Sequence, residues 1–196
     1  SSAALFLKNG GLYPPGARMS NPDYGRTLEM IARLGPDVFY RGEISEVIAD
    51  DFQRNSGFIT REDLAAYRAK VERPLLGIYR DFQVFSAQPP SSGAQLIQLL
   101  NILEGLDLRS MGHHSAQHVH HVARAMQISF ADRGRFLGDP DFTHVPLGRW
   151  LSREYAEECR QRILSGEKIV VPRLKPRESP FTTHVSTMDE KGNAVS

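Results

Sequence analysis

The last fifteen residues constrain the fold more than any other stretch of the chain. Residues 182–196 open with Thr182, Thr183 and His184, and Val185 then alternates with polar Ser186 and Thr187, the period-two pattern of a β-strand. Asp189, Glu190, Lys191, Gly192 and Asn193 follow. Glycine and asparagine accept the positive φ that a tight turn requires, so this is a turn, and Ala194-Val195 resumes extended structure. A two-stranded ribbon is marginal in water because it buries too little apolar surface. Partner strands are therefore expected in sequence beyond Ser196.

The remainder reads mostly as helix. The first twenty residues, with Gly10-Gly11 and Pro14-Pro15-Gly16, are expected to be loop with at most a short turn. Asn21 before Pro22 is an N-cap with proline at the first helical position, and Tyr24, Leu28, Ile31 and Leu34 form an apolar stripe ending near Gly35. A second helix is predicted over 43 to about 53, with Ile44, Val47, Ile48 and Phe52 inward. Thr60 and Asp63 resemble a capping box opening a short helix through Tyr67. After Pro74, residues 75–79 and 82–87 read as a hairpin around Arg80-Asp81. Three further helices are expected: 94–103, 116 to about 136 capped by Ser115, and one capped by Ser152 running to about 164. From 166 to 181 no apolar period survives and three prolines interleave with charges, so a mobile, exposed linker is expected there. The fold class is α+β, mostly helical.

Composition narrows the function classes. Of 196 residues, 40% are hydrophobic and 24% charged, with a formal net charge of +1. That is ordinary globular composition, and interspersed acids and bases give no electrostatic case for nucleic acid or an anionic membrane surface. No run approaches the roughly 18 apolar residues of a membrane span. Residues 1–8 are too short, and lack the basic start, for a signal peptide. The single cysteine, Cys159, excludes an internal disulfide; spaced with Leu151, Tyr155 and Ile163, it reads as a core thiol.

Several clusters invite chemistry and have simpler readings. His114, His118 and His121 fall at i, i+4 and i+7, as three ligands on one helical face would. No ligand pair from a second element stands at metal-finger spacing, however, and Val119, Val122, Met126 and Phe130 read as that helix's packing stripe, so no metal site is assigned. Pro89-Pro90-Ser91-Ser92-Gly93 lacks the spacing of a nucleophile elbow and reads as a stiff turn into a helix. Gly138-Asp139-Pro140-Asp141 lacks calcium-loop spacing and reads as a turn. Asp132, Arg133 and Arg135 read as local ion pairs or helix-end charges.

Thr182-Thr183-His184, Ser186, Asp189 and Gly192-Asn193-Ala194-Val195-Ser196 together resemble the start of the small subunit of γ-glutamyltranspeptidases. The resemblance continues in order through Asn21-Pro22-Asp23, Gly35-Pro36-Asp37-Val38-Phe39-Tyr40-Arg41-Gly42, Gly57-Phe58-Ile59-Thr60-Arg61-Glu62-Asp63-Leu64, Pro89-Pro90-Ser91-Ser92-Gly93, Ala131-Asp132-Arg133 and Gly138-Asp139-Pro140-Asp141-Phe142. It implies a four-layer αββα N-terminal-nucleophile hydrolase fold. Residues 1–181 would then belong to the C-terminal part of the large subunit, and 182–196 to the first strands of the small one. It further implies that the precursor cuts itself at Phe181-Thr182 and that Thr182 is the catalytic nucleophile. A new N-terminal threonine carries its own base, since its α-amine can take the hydroxyl proton. The implied reaction is γ-glutamyl transfer to an acceptor amino acid or to water, from glutathione or a similar compound, with no cofactor. Related acylases acting on glutaryl-cephalosporins or poly-γ-glutamate share the resemblance, and a non-catalytic helical scaffold is the alternative from another class. Substrate-binding residues are expected outside this segment, in the remaining large- and small-subunit sequence. Family members are commonly periplasmic or secreted.

Overall fold

A computed structural model describes residues 2–172 and 184–196 of the protein. The chain divides into two compact units, Ser1–Val71 and Glu72–Ser196.

The first unit opens with α1 (Ser2–Phe6) and a two-residue hairpin, β1 (Leu7–Lys8) against β2 (Gly11–Leu12). This corrects the expectation of loop. Asn9 and Gly10 both take positive φ, 53° and 80°, as a type I′ turn demands, and Asn-Gly is a strong short-range signal for that turn. α2 (Pro22–Leu34) starts and stops where the cap residues direct: Asn21 Oδ1 accepts from the Tyr24 amide at 3.0 Å, and Gly35 leaves the helix at φ 76°. A single-turn α3 (Asp37–Tyr40) was not foreseen, and α4 (Glu43–Arg54) follows.

The inward face of α4 differs from the expected one. Ser45 and Ala49 are buried, along with Val38 of α3, whereas Val47 is 61% exposed. The buried residues of α4 are its small ones, while Ile44, Val47 and Ile48 line an open groove of about 690 Å³ shared with Met30 and Phe39. α5 (Arg61–Ala66) carries the foreseen capping box: Asp63 N donates to Thr60 Oγ1 at 3.1 Å, and Thr60 N to Asp63 Oδ2 at 2.9 Å. An ion pair between Arg61 and Glu46 at 2.6 Å ties α5 to α4.

The second unit holds a larger core. β3 (Leu75–Tyr79) pairs antiparallel with β4 (Phe82–Ser86), Leu75 opposite Ser86 and Tyr79 opposite Phe82. Behind this ribbon lie α6 (Gly93–Glu104), α7 (Ala116–Phe136), the one-turn α8 (Leu147–Trp150) and α9 (Arg153–Leu164). Ser115 and Ser152 cap α7 and α9, accepting from the amides of His118 and Tyr155 at 3.0 and 3.1 Å. Leu75, Ile97, Ile102, Ala125, Ile128, Trp150, Cys159 and Ile163 form one buried cluster. Ile169 joins it and Glu167 pairs with Arg162 at 2.7 Å, so the exposure expected from 166 onward does not hold for Ile169.

The packing stripe expected on α7 is also corrected. Val119, Met126 and Phe130 are exposed, Val122 of that stripe packs half-buried against the core, and the buried face is Ala125, Ile128, Ser129 and Asp132. The small side chains of Ala125 and Ser129, one turn apart and fully buried, allow helices to pack closely; bulky residues on another face do not decide the orientation. The described chain ends with β5 (Thr187–Met188) paired antiparallel with β6 (Ala194–Val195).

Candidate active site

The terminal ribbon is organised by one carboxylate. Asp189 Oδ1 accepts from the amides of Lys191 and Asn193, each at 2.9 Å, and Oδ2 accepts from the Asn193 side chain at 2.7 Å. Hydrogen bonding from the Asn193 side chain, then from its amide, holds the Asp189 carboxyl below the usual carboxylate range. Gly192 at φ 82° completes the turn, as its sequence required.

Just before the ribbon lies a small polar cluster. His184 Nε2 is 2.7 Å from Ser196 Oγ and 3.0 Å from Ser186 Oγ, and the two hydroxyls are 3.3 Å apart. The three residues come from the two arms of the hairpin, so the imidazole ties one arm to the other. Sequence reasoning noted these residues only as parts of a motif. Thr182 and Phe181, the expected nucleophile and cleavage site, lie outside the described residues.

Other expected constellations resolve as follows. His114 has φ 57° and precedes the Ser115 cap. It is not on the helix, so the three-on-one-face arrangement does not exist; His113 and His114 instead stack with ring centroids 3.8 Å apart. Among the described residues no group of three His, Cys, Asp or Glu is placed to hold a metal ion. Ser92 occupies the N-cap of α6 without a side-chain capping bond, and Asp139 Oδ1 accepts from the Asp141 amide at 3.0 Å within a turn.

Asp132 overturns its reading as a local ion pair or helix-end charge. It is 6% exposed, and its Oδ2 accepts from Gln98 Nε2 at 2.6 Å and from the Tyr155 hydroxyl at 2.8 Å. Trp150 Nε1 donates to Gln98 Oε1 at 2.8 Å, so α6, α7, α8 and α9 each contribute one member. Burial, then the hydrogen bond to Asp132, raises the Tyr155 hydroxyl above its usual range. Burial, then the Asp132 charge, pushes the Cys159 thiol up to about 11, consistent with the expected inert core thiol. The signal that could have placed Asp132 inside is its position seven residues after Ala125 and four after Ile128, on the buried face.

The sequence profile of the family described as gamma-glutamyltranspeptidase matches residues 1–196. The chain belongs to the γ-glutamyltranspeptidase family. It is 42% identical over 201 residues to a glutathione hydrolase proenzyme of Escherichia coli (strain K12), covering 100% of this chain and 35% of that protein. It is 40% identical to an acylase ACY 1 proenzyme of Pseudomonas sp. (strain SE83), covering 99% of this chain and again 35% of the relative. The fold agrees: the crystal structure of Helicobacter pylori γ-glutamyltranspeptidase superposes with a TM-score of 0.73 at 36% identity, over 88% of this chain and 48% of that one. The segment thus has part of the N-terminal-nucleophile hydrolase fold, about half helical with few strands, and spans about a third of the length of those two relatives. No helix among the described residues is long and apolar enough to cross a membrane.

Proposed function

We propose that the protein containing this segment is a self-processing γ-glutamyl transferase and hydrolase whose nucleophile is Thr182. The observation that carries this reading is the match over the whole segment to a glutathione hydrolase proenzyme at 42% identity, and the sequence holds Thr182-Thr183-His184 at the position where the resemblance puts the small subunit's start. Cleavage of the Phe181-Thr182 bond frees the Thr182 α-amine. An α-amine with an ordinary pKa of roughly 7.7 to 8.0 can accept and return a proton near neutral pH. Thr182 Oγ attacks the γ-carbonyl carbon while the amine takes the hydroxyl proton. The tetrahedral intermediate then expels the amine of the leaving fragment, which receives that proton, and an ester to Thr182 remains. Water or an acceptor amino acid attacks the ester, gives its proton back through the α-amine to Oγ, and carries off the γ-glutamyl group.

The 40% identity to an acylase proenzyme favours a second reading, in which the same nucleophile opens a different side-chain amide. The two share every step above and differ in the acyl group, whose binding residues are expected outside the segment. The test is to express the whole precursor and its Thr182→Ala variant, follow chain splitting by intact mass, and assay γ-glutamyl-p-nitroanilide beside a glutaryl amide. Splitting at Phe181-Thr182 and γ-glutamyl turnover, both lost in Thr182→Ala, is the expected result. Turnover that survives Thr182→Ala overturns the reading; turnover of the glutaryl amide alone selects the acylase.

A further inference from the structure

We infer that the outer face of α7 is a helix-docking seam. Its occupant is an amphipathic helix with a carboxylate opposite Arg133, supplied by the part of this same protein that lies outside the segment. Ala116, Val119, Ala123, Met126 and Phe130 recur at alternating intervals of three and four residues, the spacing by which one helix receives the side chains of another. The pattern covers about 21 Å of helix. Val119, Met126 and Phe130 are 54%, 42% and 47% exposed, and Ala116 and Ala123 are exposed beside them. α7 therefore carries two apolar faces. Ala125, Ile128 and Ser129 bury one in the core of the second unit, and the other is left uncovered. A surface helix needs one such stripe, and a second contiguous one marks an interaction surface.

Charge chooses the occupant. At the next position of the seam stands Arg133, which is exposed and joins no ion pair among the described residues. The only carboxylate on α7 is Asp132, buried and engaged by Gln98 and Tyr155. A second copy of α7 is thereby disfavoured in either direction. Parallel pairing sets each Arg133 against its counterpart. Antiparallel pairing about the middle of the seam sets each Arg133 against the first turn of the other helix, where the free amides already carry partial positive charge. Both arrangements press like charges together in a contact that excludes water. A carboxylate on the arriving helix removes that conflict and pairs with the guanidinium. The same protein is the economical source. The segment covers 35% of the Escherichia coli glutathione hydrolase proenzyme and 48% of the Helicobacter pylori chain, so more than half of each relative stands outside it. A helix of the same molecule also docks without the entropy loss of joining two molecules.

The experiment uses the whole precursor with p-benzoylphenylalanine in place of Phe130. After irradiation, the adduct is sized on a denaturing gel and its peptides are identified by mass spectrometry. The expected product is no heavier than one precursor and joins the α7 peptide to a peptide from outside residues 1–196. Its yield is expected to fall about tenfold with Arg133→Glu and to stay within about twofold with Arg133→Lys, which keeps the charge. An adduct between two copies, an adduct confined to residues 1–196, or no adduct overturns the proposal. Parental yield with Arg133→Glu overturns it as well. If the bulky probe prevents folding, Met126→Cys decides, through the rate at which iodoacetamide labels the introduced thiol in the native whole precursor and in concentrated urea. Labelling at least about tenfold slower in the native protein supports a covered seam, and any smaller ratio overturns it. Protection that disappears on dilution means a second copy and overturns the proposal too.

Discussion

Asp132 is buried and accepts from two neutral donors, a placement that is stable only while both hydrogen bonds are made. Asp132→Ala orphans Gln98 Nε2 and the Tyr155 hydroxyl, and each buried unsatisfied donor costs roughly 1–3 kcal/mol. The expected loss is about 3 kcal/mol in urea unfolding, against about 1 kcal/mol for Asp132→Asn, whose amide oxygen still accepts. Equal losses would show that the charge, not the acceptor geometry, is what the site requires. Cys159 belongs to the same neighbourhood and gives a pH prediction. Below pH 9 the thiol is protonated in both folded and unfolded chains. Between its ordinary 9.0 and its folded value of about 11, the unfolded thiol loses its proton while the folded one keeps it, so stability falls as pH rises through that window. Two pH units correspond to about 2–3 kcal/mol, and the raised Tyr155 hydroxyl acts in the same direction. Urea midpoints measured from pH 8 to 11 should decline, and iodoacetamide should label Cys159 only as the protein unfolds.

At the scale of elements, the capped helix starts and the buried face of α9 were legible, and the faces of α4 and α7 were not. Asn21, Thr60, Ser115 and Ser152 each cap the helix that follows, because a cap is a bond between residues three apart and needs nothing distant. Which stripe of α4 or α7 turns inward depends on the neighbour's surface. Counting bulky residues pointed to Val47, Met126 and Phe130, while close approach selected Ala49, Ala125 and Ser129. The same logic predicts opposite outcomes for two glycines. A Cβ on Gly77 would meet Ile97 Cγ2 at 2.8 Å, where β3 presses on α6, whereas nothing lies within 4 Å of one on Gly134. Gly77→Ala should lower stability by about 1–3 kcal/mol through overpacking. Gly134→Ala, inside α7, should raise it by about 0.5–1 kcal/mol, because alanine restricts the unfolded chain and favours helix. Thermal unfolding of the pair checks both signs.

For the molecule as a whole, the family was readable because it resides in ordered motifs, whereas the His184, Ser186 and Ser196 cluster was not, since it needs the hairpin to bring residues 184 and 196 together. The segment covers 35% of a glutathione hydrolase proenzyme, and both self-cleavage and acyl transfer pass through a tetrahedral oxyanion. Preorganised donors for such an oxyanion contribute on the order of 100- to 1,000-fold each, and in the proposed reading they are expected, like the substrate-binding residues, outside this segment. The isolated segment is therefore expected to remain one uncut chain and to release no product from γ-glutamyl-p-nitroanilide. Intact mass after prolonged incubation, with N-terminal sequencing of any smaller species, checks this directly. A new N-terminus at Thr182 would mean that the donors for cleavage reside within these 196 residues, and the ribbon around Asp189 and His184 would be the first place to look for them.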